Sequence, residues 1–356
     1  MPTSSCLKCH ILPCLTNSGG DLIISCEVPE LTNKSKILLK SLKISFKEED
    51  VLTLILHVSS FKEFIELILD SNVFSKHERE SIRMLFLAPS EELTPSKIKD
   101  VKTLQKLKDI LGATNLSNLL SKGGLTTHFQ PIIDIKEDKI YGYETLARGV
   151  NDDGSLIYPD KLFSWAREGD MLFYLDRACR ESSLKTAAVK NVQAKVFINF
   201  IPTAIYDPKH CLQATVKWAN SLEFDPKNII FEVIESDQVE DLAHLKSILD
   251  FYKSKGFMVA LDDVGSGYSS LNMIAALVPD IVKIDRAIID KIDLIPANQS
   301  VFRAIVSIAK ENNIKVLAEG IERKEELAFV AANGADLVQG YYFAKPSAEP
   351  IRKISY

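Results

Sequence analysis

From about residue 125 onward the chain alternates short β-rich runs with longer segments of helical spacing, the pattern of a parallel α/β fold. The runs are Thr127 to Ile133, Ile140 to Leu146, Lys195 to Phe200, Ile229 to Ile234, Met258 to Leu261, Ile281 to Ile284, Lys315 to Ala318 and Leu337 to Tyr341. Eight such runs over roughly 220 residues predict a TIM-type (β/α)8 barrel, whose reactive groups gather at the C-terminal strand ends. The pattern carries no strand direction, so one reversed strand would leave it unchanged.

The whole chain has 356 residues, enough for that barrel and a smaller domain. Residues 1–115 are expected to form a small helix-rich or α+β module of structural, regulatory or sensory role, and 116–356 the barrel. Within the first module Phe61, Phe64, Ile65 and Ile68 recur at helical spacing, as do Ile82, Leu85 and Phe86 behind the charged run Lys76 to Arg83. Ile98, Val101, Leu104, Gln105 and Leu107 predict a further helix ending near Gly112, while residues 37–57 read equally as strand or helix.

Hydrophobic residues at 46% and charged residues at 26% place the chain among ordinary globular proteins and exclude collagen-like, coiled-coil and disordered classes. The balance of 43 basic against 48 acidic side chains is too even for non-specific binding to DNA or an anionic membrane. No apolar run approaches the roughly 18 residues of a membrane span, and no export signal is recognisable, so a cytoplasmic protein is expected. In that compartment six cysteines read as thiols or metal ligands. Four of them, Cys6, Cys9, Cys14 and Cys26, fall in the first 26 residues with His10 beside Cys9, and CxxC spacing offers two thiolates to a tetrahedral Zn2+. Unligated thiols near a frayed terminus are the plainer reading, and c-type haem attachment at CxxCH the least favoured.

The informative feature of the barrel region is that its apolar runs carry or end in groups that resist burial. Glu144, Asn199, Glu232, the pair Asp262 and Asp263, Lys283 with Asp285, Glu319 and Gln339 all fall there. One buried carboxylate is usually a satisfied salt bridge, but a barrel directs all of these strand ends into one pocket. All-oxygen donors suit Mg2+ or Mn2+ better than zinc, and two such ions about 3.5 to 4 Å apart are the usual solution for in-line displacement at a phosphodiester. Lys283 would then orient a water or stabilise phosphorane charge, or else only pair with Asp285. Gly265, Ser266, Gly267, Tyr268, Ser269 and Ser270 follow the aspartates as a tight loop.

Across about Leu125 to Pro346 these residues resemble the EAL domain family, bacterial phosphodiesterases of cyclic di-GMP. The segments that carry the resemblance are Phe129-Gln130-Pro131, Glu144-Thr145-Leu146 with Arg148, Asn199 with Pro202, Glu232 with Glu235, Asp262 to Leu271, Lys283-Ile284-Asp285, Ala318 to Glu322 and Gln339-Gly340-Tyr341. The resemblance implies hydrolysis of cyclic di-GMP to linear pGpG with two Mg2+ or Mn2+ ions. It implies metal ligands at Glu144, Asn199, Glu232, Asp262, Asp263 and Glu319, with Lys283 at the hydrolytic water and Glu319 beside it. It further implies substrate contacts at Gln130, Arg148, Gln339 and Glu322, a loop-holding role for Glu235, and a homodimer formed through the barrel. Thr145, Val264, Ser266, Ile234 and Arg323 depart from the family pattern without removing a ligand. Two other readings compete: a silent receptor for cyclic di-GMP or a protein partner, and a lyase using Lys283 as a Schiff base. The second leaves the clustered carboxylates without a role.

Overall fold

A computed structural model describes residues 15–169, 171–205, 207–234, 242–265 and 270–354. The chain divides into two compact units, one built from residues up to Lys122 together with Asp160–Met171, the other from Gly123–Pro159 and Leu172 onward.

The first unit is α+β. Strands β1 (Gly20–Cys26), β2 (Lys47–Glu48), β3 (Thr53–Val58), β4 (Ile82–Leu87) and β5 (Lys102–Thr103) form an antiparallel sheet in the order β2-β3-β1-β4-β5. Its apolar face, with Leu22, Ile24, Leu54, Leu56 and Met84, packs in one core with residues of helices α1 (Pro29–Ser41), α2 (Phe61–Asp70) and α4 (Leu104–Ser121). Two readings of this unit are corrected. The helical spacing of Ile82, Leu85 and Phe86 belongs to strand β4: the charged run forms only the short helix α3 (Lys76–Ser81), opened by a capping box between Ser75 and Glu78, and the chain extends at once beyond it. Helix α4, capped by the Thr103 side chain, passes through Gly112 instead of ending there. A Cβ at Gly112 would come within 3.0 Å of the Trp165 ring, so that glycine answers a packing need and not a stop.

The second unit is the expected barrel. Strands β6 (Leu125–Asp134), β7 (Lys139–Val150), β9 (Lys195–Phe200), β10 (Ile229–Ile234), β11 (Met258–Val264), β12 (Ile281–Ile284), β13 (Lys315–Ala318) and β14 (Leu337–Val338) close in the order β6-β14-β13-β12-β11-β10-β9-β7, with β7 returning to β6. The two-residue β8 (Leu156–Ile157) adds to β7 outside the ring. Strand β6 runs antiparallel to both its neighbours while the other seven are mutually parallel, the one reversed strand that periodicity could not show.

The barrel interior is layered by the two-residue period of its strands. The lower layer is wholly apolar: Ile132, Phe197, Ile230, Ala260, Ile281, Leu317 and Leu337 pack as one cluster, and Gly142, paired with Ile132, leaves room for the Phe197 ring. Two residues further along each strand stand Asn199, Glu232, Asp262, Lys283, Glu319 and Gln339, joined by Glu144 and, on the reversed strand, by its register partner Gln130. One step of the same alternation thus turns a dry plug into a polar floor.

Behind this floor, the helix Leu172–Val189 holds a buried ion pair against the barrel. Arg180 donates through Nε and Nη2 to Asp176 at 3.1 and 2.7 Å and through Nη1 to Thr215 Oγ1 at 2.6 Å, while Asp176 accepts from the Ile201 backbone N–H at 2.9 Å. Both ionic side chains are almost completely buried. Removing one partner strands the other charge, so Arg180→Met should cost about 3 to 5 kcal/mol in urea unfolding at neutral pH. A loss below about 1 kcal/mol would mean that the pair contributes nothing to holding this end of β9.

Candidate active site

At the centre of the polar layer the Lys283 ammonium touches three carboxylates: Glu232 Oε1 at 2.9 Å, Asp262 Oδ2 at 3.0 Å and Glu319 Oε1 at 2.9 Å. Lys283 and Glu232 are 1% and 0% exposed, so water screens little of this interaction. Burial alone would push the lysine pKa down, but the surrounding carboxylates outweigh it and hold the ammonium charged well above its usual range. Burial raises Glu232 and Glu319 well above ordinary carboxylates, with Lys283 opposing and neighbouring acids reinforcing the shift. One cation does not neutralise Glu144, Glu232, Asp262, Asp263 and Glu319 together.

Adjacent residues on a regular strand face opposite ways, yet Asp262 and Asp263 both belong to the site. The pairing of β11 with β12 shifts register between Leu261 and Val264, so both aspartates stand opposite the single residue Lys283. Asp263 has φ 57°, a left-handed conformation that aspartate tolerates better than most residues, and its N–H donates to Asp262 Oδ1 at 2.9 Å. As a result, carboxylate oxygens of Asp262, Asp263 and Glu319 lie within 4.8 Å of one another.

A second group faces these acids. Asn199 Nδ2 donates to Glu144 Oε1 at 3.1 Å and Gln339 Nε2 to Glu144 Oε2 at 2.7 Å. Both amide nitrogens are therefore spent on Glu144, and the opposite atoms, Asn199 Oδ1 and Gln339 Oε1, are buried acceptors with no hydrogen-bond partner. Glu232 Oε2 is likewise buried and without one. Buried acceptors left open are costly, and this set is all oxygen, so the residues fit hard divalent cations. Asp262, Asp263 and Glu319 would hold one ion, with Glu144, Asn199 and Glu232 forming the other side of the pocket.

The remaining expected residues divide. Arg148 is buried, its guanidinium 5.2 Å from the centre of the Tyr158 ring. Gln130 is buried, and its Nε2 donates a long 3.5 Å hydrogen bond to the Ala344 carbonyl. Glu322 is half exposed and paired with Arg286 at 2.8 Å, not with the carboxylate group. Thr145 is no disturbance, because its hydroxyl donates to the Phe197 carbonyl at 2.6 Å. Glu235, Ser266, Gly267, Tyr268 and Ser269 lie outside the described residues, as do Cys6, Cys9, His10 and Cys14. Cys26, the fourth zinc candidate, is a core residue of the first unit: its thiol contacts Ser35 Oγ at 3.8 Å and burial raises its pKa, away from the thiolate a metal needs. Sequence reasoning missed Tyr158 and the Asp176–Arg180 pair, although an Asp and an Arg four apart on a helix were a visible signal for the pair.

The span of the family match contains all of these site residues. The EAL domain model matches residues 113–346. Over 236 residues the chain is 32% identical to the cyclic di-GMP phosphodiesterase PdeR of Escherichia coli K12, covering 65% of this chain but 35% of that relative. Among solved structures, a standalone versatile EAL protein from Vibrio cholerae O395 in its c-di-GMP-bound form is 38% identical with a TM-score of 0.59, covering 65% of this chain and 95% of that one. Klebsiella pneumoniae BlrP1, solved as a calcium and cyclic di-GMP complex, shares 16% identity and a TM-score of 0.59 across 96% of this chain, a likeness of fold.

The crowding of these acids makes a pH prediction. Burial and the neighbouring Asp262 and Asp285 raise Asp263 to about 6, above its unfolded value near 3.9. The native state then binds the proton more tightly than the unfolded chain, so stability falls as pH rises from about 4 to 6. Melting temperature measured in chelator should drop across that window, and excess Mn2+ should reverse the drop at pH 7; a flat, metal-insensitive profile would contradict this charge balance. Strand register, the doubled aspartates and the family match converge on one conclusion: this chain belongs to the EAL domain family.

Proposed function

We propose that the protein hydrolyses one phosphodiester of cyclic di-GMP, releasing linear pGpG and lowering this second messenger in bacterial signalling. The observation that carries the reading is the convergence of Glu144, Asn199, Glu232, Asp262, Asp263 and Glu319 around Lys283 on one layer of the barrel. Every position that the family uses to bind metal is filled by a competent donor, which a silent receptor has no need to keep.

On this reading water adds to phosphorus, the bond to the 3′ oxygen breaks, and the proton released by water ends on solvent or the departing hydroxyl. Bound Mg2+ or Mn2+ supplies Lewis acidity and lowers the pKa of water in the pocket. The chain's own part is positioning and charge. Lys283, held by three carboxylates, presents a fixed cation beside the incoming water and stabilises negative charge developing on the phosphoryl oxygens. Glu319 keeps Lys283 in place and shares in the metal set, and Asn199 and Gln339 lock the Glu144 carboxylate through both oxygens. Gln130, Arg148, Gln339 and Glu322 are the proposed substrate contacts, Glu235 the brace of the loop after Asp263, and a barrel-mediated homodimer the working form. A Schiff base at Lys283 is disfavoured, because an amine kept protonated by three acids is no nucleophile.

Purified protein incubated with cyclic di-GMP and Mg2+ or Mn2+ should yield pGpG by chromatography, and chelator should abolish the product. Glu144→Ala removes a metal-facing carboxylate and frees both amides that it orients, so turnover should fall by at least about a hundredfold. Binding without turnover under either metal would favour the receptor, and near-normal turnover of Glu144→Ala would refute the metal assignment.

A further inference from the structure

Arg148 is a cation of a different kind from Lys283. It is only 8% exposed, its Nε is buried without a hydrogen-bond partner, and Nη1 is used on the carbonyl of its own neighbour Ala147 at 2.8 Å. No carboxylate among the described residues forms an ion pair with it. Burial consequently depresses its pKa, with Tyr158, Glu144 and Tyr341 acting in the opposite direction. A buried guanidinium without an acid is expensive unless something replaces its lost hydration. What it has is the face of Tyr158, at 5.2 Å from guanidinium carbon to ring centre. Tyr158 itself is 59% exposed, so its ring gains little from burial at this position.

We infer that Tyr158 is a positioning residue for substrate: its ring holds the Arg148 guanidinium by a cation–π contact, leaving the remaining donors open for a phosphate oxygen of the cyclic dinucleotide. A carboxylate at position 158 would hold the arginine more strongly but would also neutralise it and compete with the phosphate. An aromatic face stabilises the cation and leaves its charge available. The position supports this role, since Tyr158 directly follows the β7–β8 pairing of Gly149 with Ile157, which folds the chain back over the end of β7 that carries Arg148. The inference rests on the reading of Arg148 as a phosphate contact and is separable from it.

The test is the equilibrium binding of cyclic di-GMP by the full chain in chelator, with KM and kcat measured in Mn2+. Tyr158→Ala should weaken binding and raise KM by about three- to tenfold with kcat nearly unchanged, the scale of a partly desolvated cation–π contact. Tyr158→Phe, which keeps the ring, should behave as the parent, and Tyr158→Glu should bind more weakly than Tyr158→Ala. In an Arg148→Ala background, which alone weakens binding, Tyr158→Ala should add nothing further. Additive losses would overturn the inference, because the tyrosine would then act on the ligand or the fold and not through Arg148. A normal Tyr158→Ala beside a weakened Arg148→Ala would also overturn it while leaving the phosphate reading intact. If Arg148→Ala binds normally, the phosphate reading fails and the inference falls with it.

Discussion

The rest of the barrel mouth depends on the contact of one buried ammonium with three carboxylates. Without Lys283, the polar layer would place Glu232, Asp262 and Glu319 in a nearly dry interior beside further acids, Glu144 and Asp263, with no cation among them. Folding would then require protonating them, and protonated acids are poor ligands for a hard cation. With Lys283 present the acids are partly compensated and held in fixed positions, although burial and mutual repulsion still raise Glu232 and Glu319. The ammonium acts as an internal counterion that makes the site foldable before any metal arrives.

Such a layer can form only because the one beneath it is sealed. Ile132, Phe197, Ile230, Ala260, Ile281, Leu317 and Leu337 fill the barrel below, so water does not reach the charges from that side. Their stiffness also fixes the backbone two residues away, where each polar side chain starts. The register shift in β11 is the single break in this regularity, and it lets two neighbouring aspartates share a face. Strain at Asp263 is thus part of the site's construction.

How much of this was legible depended on whether a feature repeats. Strand alternation repeats eight times and announced the barrel; carboxylates at successive strand ends repeat and announced a common pocket. Features that occur once were hidden. The direction of β6 follows from pairing, not from its composition, and the register shift at Asp262 and Asp263 depends on one residue's φ. In the first unit, β2 and β5 are two residues long, too short for any periodic window, so its five-stranded sheet read as mostly helix. Gly112 looked like a helix stop because the Trp165 ring that requires it lies some fifty residues further along the chain. Tyr158 had no signal at all, because a lone tyrosine before a proline has no pattern to belong to.

The two buried cations of the mouth, Lys283 and Arg148, have opposite surroundings. Around Lys283 the cation is outnumbered by acids, so the local field favours further positive charge, and the amide oxygens of Asn199 and Gln339 are buried acceptors without a hydrogen-bond partner. Where we propose that a phosphate enters, the cation has no ion-paired acid among the described residues and stands against a ring that cannot neutralise it. Had Arg148 been given a carboxylate, as Lys283 was, the phosphate would need to displace that partner and binding would weaken; had Lys283 been given only a ring, the carboxylates around it would repel one another unrelieved. The difference between the two environments, more than the presence of either residue, is what separates the metal side of the pocket from its proposed phosphate side.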